Sequence, residues 1–312
     1  MTSSVLIAAE LRDLIGDDPV PGAAVEWIAA HEPTPAGNYV AVIPLLSRWI
    51  GGGELKRMPA LRVVANCAAG LDNIDLVAAE MRGVMVTNTP FVLTDATADL
   101  TWALILAVAR RLKEGAQLVR SGTWTGWHPT QLLGLELRGA TLGIVGAGNI
   151  GQAVGRRAVG FGMAVRYVAR RARPSFEAET GAVRADLRRL LEESDVVSLH
   201  LPATHETRGM FDRARLAMCR PGALLINTAR GELVREPALI EALESGTIGG
   251  AGLDVFADEP VVSDALIAHP RVVTLPHLGS ATDATRRAMA ELAVRNVRAV
   301  LAGEDPPTPA SC

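Results

Sequence analysis

The chain has 312 residues, 49% of them hydrophobic and 21% charged, with a net charge of -3. This describes a globular protein with room for two domains and argues against nucleic acid or an anionic membrane as the main partner. Met1 to Glu10 lacks a basic n-region, no apolar run is long enough to span a bilayer, and Cys67, Cys219 and Cys312 are too scattered for a disulfide framework or a metal site. Buried, reduced thiols in the cytoplasm are the expectation.

Apolar runs at 5–8, 39–44, 61–65 and 84–87 read as strands, and the helical segments between them give the rhythm of a parallel sheet covered on both faces. Residues 94–112 read as one long, largely buried helix. It leads into a loop-rich stretch, 121–137, that holds Trp124, Trp127, His128 and Pro129. A loop of this length in a compact chain is functional or an interface.

The most informative segment is TLGIVGAGNIG, residues 141–151. An apolar strand runs into Gly146-Ala147-Gly148-Asn149-Ile150-Gly151, and helix-compatible residues follow from Gln152. Strand, glycine turn and helix together hold a pyrophosphate on a helix N-terminus. Gly146 permits the turn, Gly148 lets the backbone approach the phosphates, and Gly151 allows close helix packing. A dinucleotide cofactor is expected.

The next strand, 164–168, ends where an NAD enzyme places an acid for the ribose 2′-hydroxyl. Here stand Ala169, Arg170 and Arg171, with Arg173 close behind. Guanidinium groups pair with a 2′-phosphate, which a carboxylate would repel. NADP(H) is the expected cofactor, with NAD(H) as the alternative if the arginines form only a solvated basic loop.

Further strands are expected at 196–199, 223–226, 252–255 and 272–275, before a last helix at 281–302 and a proline-rich, extended or loose tail, 305–309. Three polar residues follow these late strands: Arg230, Glu259 and His277. Ligands bind beyond the carboxyl ends of strands in a doubly wound sheet, so one cleft can gather all three. Taken singly, each also reads as structural: a helix cap, a surface carboxylate, a core histidine.

The chain resembles the D-isomer-specific 2-hydroxyacid dehydrogenases, and among them most the glyoxylate/hydroxypyruvate reductases. The resemblance rests on VANCAAGLDNID (64–75), VTNTPFVLTDATAD (86–99), Asn227-Thr228-Ala229-Arg230-Gly231, LDVFADEP (253–260) and PHLGSAT (276–282). It implies a Rossmann cofactor domain, residues 96–280, inserted in a flavodoxin-like substrate domain, residues 1–95 plus 281–312. The implied reaction is NADPH-dependent reduction of a small 2-oxo acid, glyoxylate or hydroxypyruvate, to the 2-hydroxy acid. Arg230 would clamp the substrate carboxylate and polarise the ketone, His277 would protonate the ketone oxygen, and Glu259 would orient the imidazole.

The same resemblance assigns the backbone amides of Ala69 and Gly70 to the substrate carboxylate, with Leu46 and Ser47 in a less defined substrate-side loop. It sets His200 and Pro202 on the adenosine side of the cofactor, and Thr228, Ala229 and Asp254 near the nicotinamide. Trp127 resembles a tryptophan that some of these reductases lend to a neighbouring subunit; an interface anchor without substrate contact is the other reading. A homodimer is expected. Four features depart from the family pattern. Ala68 stands where many relatives have glycine, although alanine also fits the reductase subgroup. Phe91 is bulky at a position usually small or polar and would narrow the cleft. Arg235 replaces a common acid and reads as surface variation. Gly51-Gly52-Gly53 stands in place of a longer loop and helix.

Two other functions compete. Oxidation of a bulkier D-2-hydroxy acid or of phosphite is one; against phosphite, residues 67–70 lack the lysine found in similar phosphite enzymes. A dinucleotide-sensing binding protein is the other, disfavoured because Arg230, Glu259 and His277 are all retained.

Overall fold

The computed structural model describes residues 3–310, so Cys312 lies outside the described residues. Cys67 and Cys219 are both free and buried. Among the described residues, no helix is long and apolar enough to cross a membrane.

The chain divides into two compact units. One holds the chain up to Leu93 and again from Ser280 onward; the other is Thr94–Gly279. In the first, five strands, β1 (Ser3–Ala8), β2 (Ala23–Ile28), β3 (Tyr39–Ile43), β4 (Val63–Ala65) and β5 (Met85–Thr87), form a parallel sheet in the order β2-β1-β3-β4-β5. That is the flavodoxin-like order. Leu6, Val42, Val64 and Val86, one from each of four strands, share a single buried cluster.

The second unit contains β6 (Thr141–Val145), β7 (Ala164–Val168), β8 (Val183–Arg184), β9 (Val196–Leu199), β10 (Ala223–Asn227), β11 (Ile248–Leu253) and β12 (Val272–Thr274). They too are parallel, in the order β12-β11-β10-β9-β6-β7-β8. This is the Rossmann order with one strand added, and the order reverses between β6 and β9. Alternate residues go to opposite faces: Leu142, Ile144, Val196, Leu224 and Ile226 enter one cluster, while Val145, Val197, Leu199 and Leu225 enter another. Both faces are buried, which is why these strands read as continuous apolar runs.

β2 and β8 had no such signal. Both are edge strands; β2 alternates partly buried with exposed residues, and both residues of β8 are exposed. The long helix also differs from expectation. It spans Thr94–Ala109, Arg111 turns left-handed (φ 55°), and a separate helix, Leu112–Arg120, begins. The cause is tertiary: the Leu135 amide donates to the Ala109 carbonyl at 2.8 Å, taking the acceptor a continuing helix would need. Within the first helix Trp102 is buried, its indole N–H donating to the Val154 carbonyl at 3.0 Å and its ring stacked on Phe161.

Gly52 and Gly53 open a short helix, Gly52–Arg57, after Glu54 accepts from the Gly51 amide at 3.0 Å. The last helix is Asp283–Ala302, capped by Thr282, whose hydroxyl accepts from the Thr285 amide at 3.1 Å. The tail is not loose. Thr308 donates to the Asn88 carbonyl at 2.6 Å, and the Ala310 amide donates to Val86 at 2.9 Å. Prolines cannot extend a helix, but they leave carbonyls and neighbouring residues free to pair with the edge strand β5.

Candidate active site

Every residue expected at the cofactor or the reacting centre leaves the carboxyl end of a strand in one parallel sheet, that of the second unit. The glycine loop follows β6, Ala169–Arg171 follow β7, His200 and Pro202 follow β9, Thr228–Arg230 follow β10, Asp254 and Glu259 follow β11, and His277 follows β12. Ala69 and Gly70 belong to the first unit, in the loop after β4.

The three motif glycines meet three different constraints. Gly146 has φ +104°, and a Cβ there would stand 2.5 Å from the His200 carbonyl oxygen. Gly151 would place a Cβ 2.2 Å from the Gly146 carbonyl oxygen. Gly148 is the N-cap of the Asn149–Gly160 helix, and a Cβ on it would meet nothing within 4 Å. The close contacts hold the turn tight, and the open position leaves the helix N-terminus bare to an anion. These features fit a dinucleotide pyrophosphate. The helix starts at Asn149, three residues before the expected Gln152, so Asn149, Ile150 and Gly151 form its first turn.

Arg170 and Arg171 are exposed at the end of β7, with no carboxylate among residues 169–171. Arg173 is committed elsewhere: its Nε donates to the Ala147 carbonyl at 2.9 Å, fastening this loop to the glycine turn. Arg184, on β8, donates to the Ala169 and Arg170 carbonyls at 3.0 and 3.1 Å. Sequence reasoning missed Arg184, because a lone arginine on an unrecognised edge strand carries no signal. Burial pushes His200 down to about 3, so its ring is neutral near pH 7; Nε2 pairs with Ser198 Oγ at 2.8 Å.

The reacting-centre candidates are joined by short, specific contacts. His277 Nδ1 lies 2.9 Å from Glu259 Oε2. An ionised carboxylate only accepts, so Nδ1 carries the proton and Nε2 is the free ring nitrogen. The Phe256 amide donates to Glu259 Oε1 at 3.0 Å, so both carboxylate oxygens are oriented. Burial acts to raise the Glu259 carboxyl, but the His277 hydrogen bond and charge, the Phe256 amide and the Arg230 charge outweigh it and hold the group below its ordinary value.

Arg230 is placed by its own motif. Asn227 Nδ2 donates to the Arg230 carbonyl at 2.8 Å, and Asn227 Oδ1 accepts from the Ala229 amide at 3.1 Å. Gly231 then passes so close to the next loop that a Cβ would lie 1.9 Å from the Phe256 carbonyl carbon. That approach brings the arginine and glutamate segments side by side. Thr228 is buried, its Oγ1 2.8 Å from that of Thr101. Thr101 donates to the Thr97 carbonyl at 2.8 Å, so Thr228 is the donor in the pair. Nothing in the sequence linked Thr101 to this motif.

Asp254 is fully buried, with its carboxylate oxygens accepting from the Leu278 and Gly279 amides at 2.6 and 2.8 Å. Burial outweighs those amides and the nearby imidazole, and holds this carboxyl above its ordinary value. His277 sits between these contacts in a left-handed backbone conformation, φ 55°. In the first unit, Phe91 also has positive φ (70°) and its ring is exposed. Arg235 is exposed, with its guanidinium over Gly209.

An imidazole oriented by a carboxylate beside an arginine is equipped to exchange a proton with a substrate oxygen while a cation steadies negative charge. Residues 102–279 match the NAD binding domain of D-isomer specific 2-hydroxyacid dehydrogenases. The chain is 50% identical over 271 residues to a protein named glyoxylate reductase from Thermococcus litoralis, covering 86% of this chain and 82% of that one. A solved Thermus thermophilus structure has 45% identity and a TM-score of 0.89, covering 99% of this chain and all of that one. The Sinorhizobium meliloti NADPH-dependent glyoxylate/hydroxypyruvate reductase, solved with NADP and malonate, has 33% identity and a TM-score of 0.89, covering 100% of this chain and 97% of that one. With its arginine, glutamate and histidine held on one Rossmann sheet, the chain belongs to the D-isomer specific 2-hydroxyacid dehydrogenase family.

Proposed function

We propose that this oxidoreductase is an NADPH-dependent reductase of a small 2-oxo acid, glyoxylate or hydroxypyruvate. The His277–Glu259 contact at 2.9 Å, with Arg230 close enough to depress the carboxyl, carries the reading of the reaction. The relatives named glyoxylate reductase support the substrate class. Exposed Arg170 and Arg171, in place of an acid after β7, support NADPH, as does the NADP complex of the Sinorhizobium relative.

Dihydronicotinamide, when bound, supplies the hydride. The glycine loop and the Asn149–Gly160 N-terminus would hold the pyrophosphate, Arg170 and Arg171 the 2′-phosphate, and Thr228, Ala229 and Asp254 the nicotinamide side. In the second unit, Arg230 takes the substrate carboxylate and polarises the ketone; in the first, the Ala69 and Gly70 amides are the groups suited to a carboxylate. His277 Nε2 would give the ketone oxygen its proton, which together with the hydride the cofactor would supply balances the reduction to a 2-hydroxy acid. Glu259 keeps the ring oriented through its contact with Nδ1. The exposed Trp124, Trp127 and Leu133, within 121–137, support a homodimer that covers them. Free, buried Cys67 and Cys219 fit a reducing compartment, the cytoplasm.

The test is NADPH oxidation followed by absorbance against a panel of 2-oxo acids, with NADH in parallel. Turnover of glyoxylate or hydroxypyruvate with NADPH is expected. A chain that binds NADPH yet reduces no member of the panel contradicts the assignment.

A further inference from the structure

The loop after β4 has three consecutive carbonyls held in place. Ala68 O accepts from the Thr89 amide at 2.8 Å. Ala69 O accepts from Asn88 Nδ2 at 2.7 Å, and Gly70 O accepts from Asn66 Nδ2 at 2.9 Å. In a trans peptide the N–H points opposite to the carbonyl of the same peptide plane. Holding those three carbonyls therefore fixes the directions of the Ala69, Gly70 and Leu71 amides, each turned away from the group that holds its peptide. Among the described residues, no acceptor takes those three amides. Successive N–H groups held in this way and left without a protein acceptor are suited to an anion.

The two asparagines are themselves anchored. Asn66 is fully buried and exchanges two amide hydrogen bonds with Asn73, at 2.9 and 3.0 Å. Asn73 also donates to the Leu45 and Arg48 carbonyls at 3.2 and 3.0 Å, which ties in the neighbouring 45–48 loop. Asn88 is strapped from the other side by the tail. Thr308 Oγ1 donates to the Asn88 carbonyl at 2.6 Å, and Asn296 Nδ2 donates to Thr308 Oγ1 at 2.9 Å.

We infer that Asn66 and Asn88 are positioning residues for the substrate carboxylate. Asn88 orients the Gly70 amide that receives it, Asn66 holds the same loop through the Gly70 carbonyl, and the C-terminal strap at Thr308 keeps Asn88 in register. The inference rests on the proposed reduction of a 2-oxo acid and on the Ala69 and Gly70 amides as the groups that receive its carboxylate. Asparagine suits the task because its carboxamide donates to a carbonyl without bringing a charge that would repel or trap the anion.

The experiment is steady-state kinetics of Asn88→Ala with glyoxylate at saturating NADPH, with NADPH affinity and thermal melting measured on the same preparation. An unheld Ala69 carbonyl lets the Gly70 amide swing. We expect the glyoxylate KM to rise on the order of tenfold, while kcat falls less than about threefold and NADPH affinity is unchanged. A purely structural role would move melting and all three constants together. An unchanged KM, or a loss confined to kcat or to NADPH affinity, overturns the inference. If Asn88→Ala does not fold, Thr308→Val loosens the same asparagine from the tail; it is expected to raise KM by a smaller factor, and an unmoved KM there counts equally against the idea. The native enzyme is assayed first. Failure to reduce any 2-oxo acid overturns the functional reading and this one with it, whereas native turnover with unmoved KM in the variants overturns this one alone.

Discussion

Asp254 and Leu278 are 24 residues apart in the chain, yet the carboxylate of the first accepts the amide of the second at 2.6 Å. The same carboxylate accepts the Gly279 amide at 2.8 Å, and the His277 amide donates to the Asp254 carbonyl at 2.9 Å. The end of β11 thus grips the histidine loop on both sides of an imidazole whose backbone is left-handed.

Asp254→Asn keeps one acceptor and loses the other. It also removes a buried charge that burial already penalises, so the two effects on stability oppose each other. The expected outcome is a fall in kcat on the order of tenfold or more, with unfolding free energy changed by less than about 1.5 kcal/mol. Kinetics and urea unfolding of the same variant check it; a stability loss without a rate loss would show that the grip is structural alone.

Glu259→Gln keeps the shape of the pair and removes its charge. Reduction needs a proton donor held in line with the substrate oxygen, and the carboxamide replaces a charged acceptor of the imidazole N–H by a neutral one. In the variant the rate of reduction is therefore expected to fall. Stability has its own sign. The Glu259 carboxyl is held below its ordinary value, so its contribution is present at neutral pH and lost as the pH falls through that depressed value. Melting temperatures should separate native from variant at neutral pH and converge in acid. An unchanged rate of reduction in the variant would break the link between Glu259 and proton transfer.

Arg170→Ser with Arg171→Ser removes both candidate 2′-phosphate partners without touching the glycine turn. Each exposed charge-assisted contact contributes about 1 kcal/mol, so NADPH affinity is expected to fall several-fold to tens of fold while NADH affinity stays nearly constant. Titration calorimetry with both cofactors decides. Equal losses for the two would return the arginines to the status of a solvated loop.

Gly231→Ala carries no charge change, and tests whether the arginine loop is set by backbone approach. A Cβ 1.9 Å from the Phe256 carbonyl carbon must push the Arg230 and Glu259 segments apart. Turnover is expected to drop on the order of a hundredfold or more while NADPH still binds, because geometry at the reacting centre is lost and the glycine turn is not. Retained turnover would mean that the loops can separate without cost.

Trp127→Ala addresses assembly. The indole is 82% exposed in the chain by itself. If a second copy covers it, light scattering at micromolar concentration reads a dimer for the native protein and a larger monomer fraction for the variant. A native monomer would leave the 121–137 stretch without its proposed purpose.

Much of this protein was legible before any coordinates. Buried parallel strands such as β6 and β10 are continuous apolar runs, and the glycine turn with its following helix has a spacing set by sterics that Gly146 and Gly151 now show directly. Arg230, Glu259 and His277 stood out as candidates because each sits in a short segment at the end of a strand, and the topology of a parallel sheet sends all strand ends to one edge. The edge strands β2 and β8 were not legible, since one-sided burial leaves no run of apolar residues. The break at Arg111 was hidden too: residues 94–112 have helical character throughout, and only the Leu135 amide, arriving from 26 residues away, takes the carbonyl at Ala109. The tail is extended, one of its two expected forms, and what holds it was hidden for the same reason. Proline content says how residues 305–309 cannot fold locally, and it says nothing of Asn296 and Asn88, which hold Thr308 in place. Local sterics and burial periodicity are written in neighbouring residues. Hydrogen bonds between distant backbone and side-chain groups, such as Asp254 to Leu278 or Asn88 to Ala69, exist only once the chain has folded, and they decide how the reactive groups are aimed.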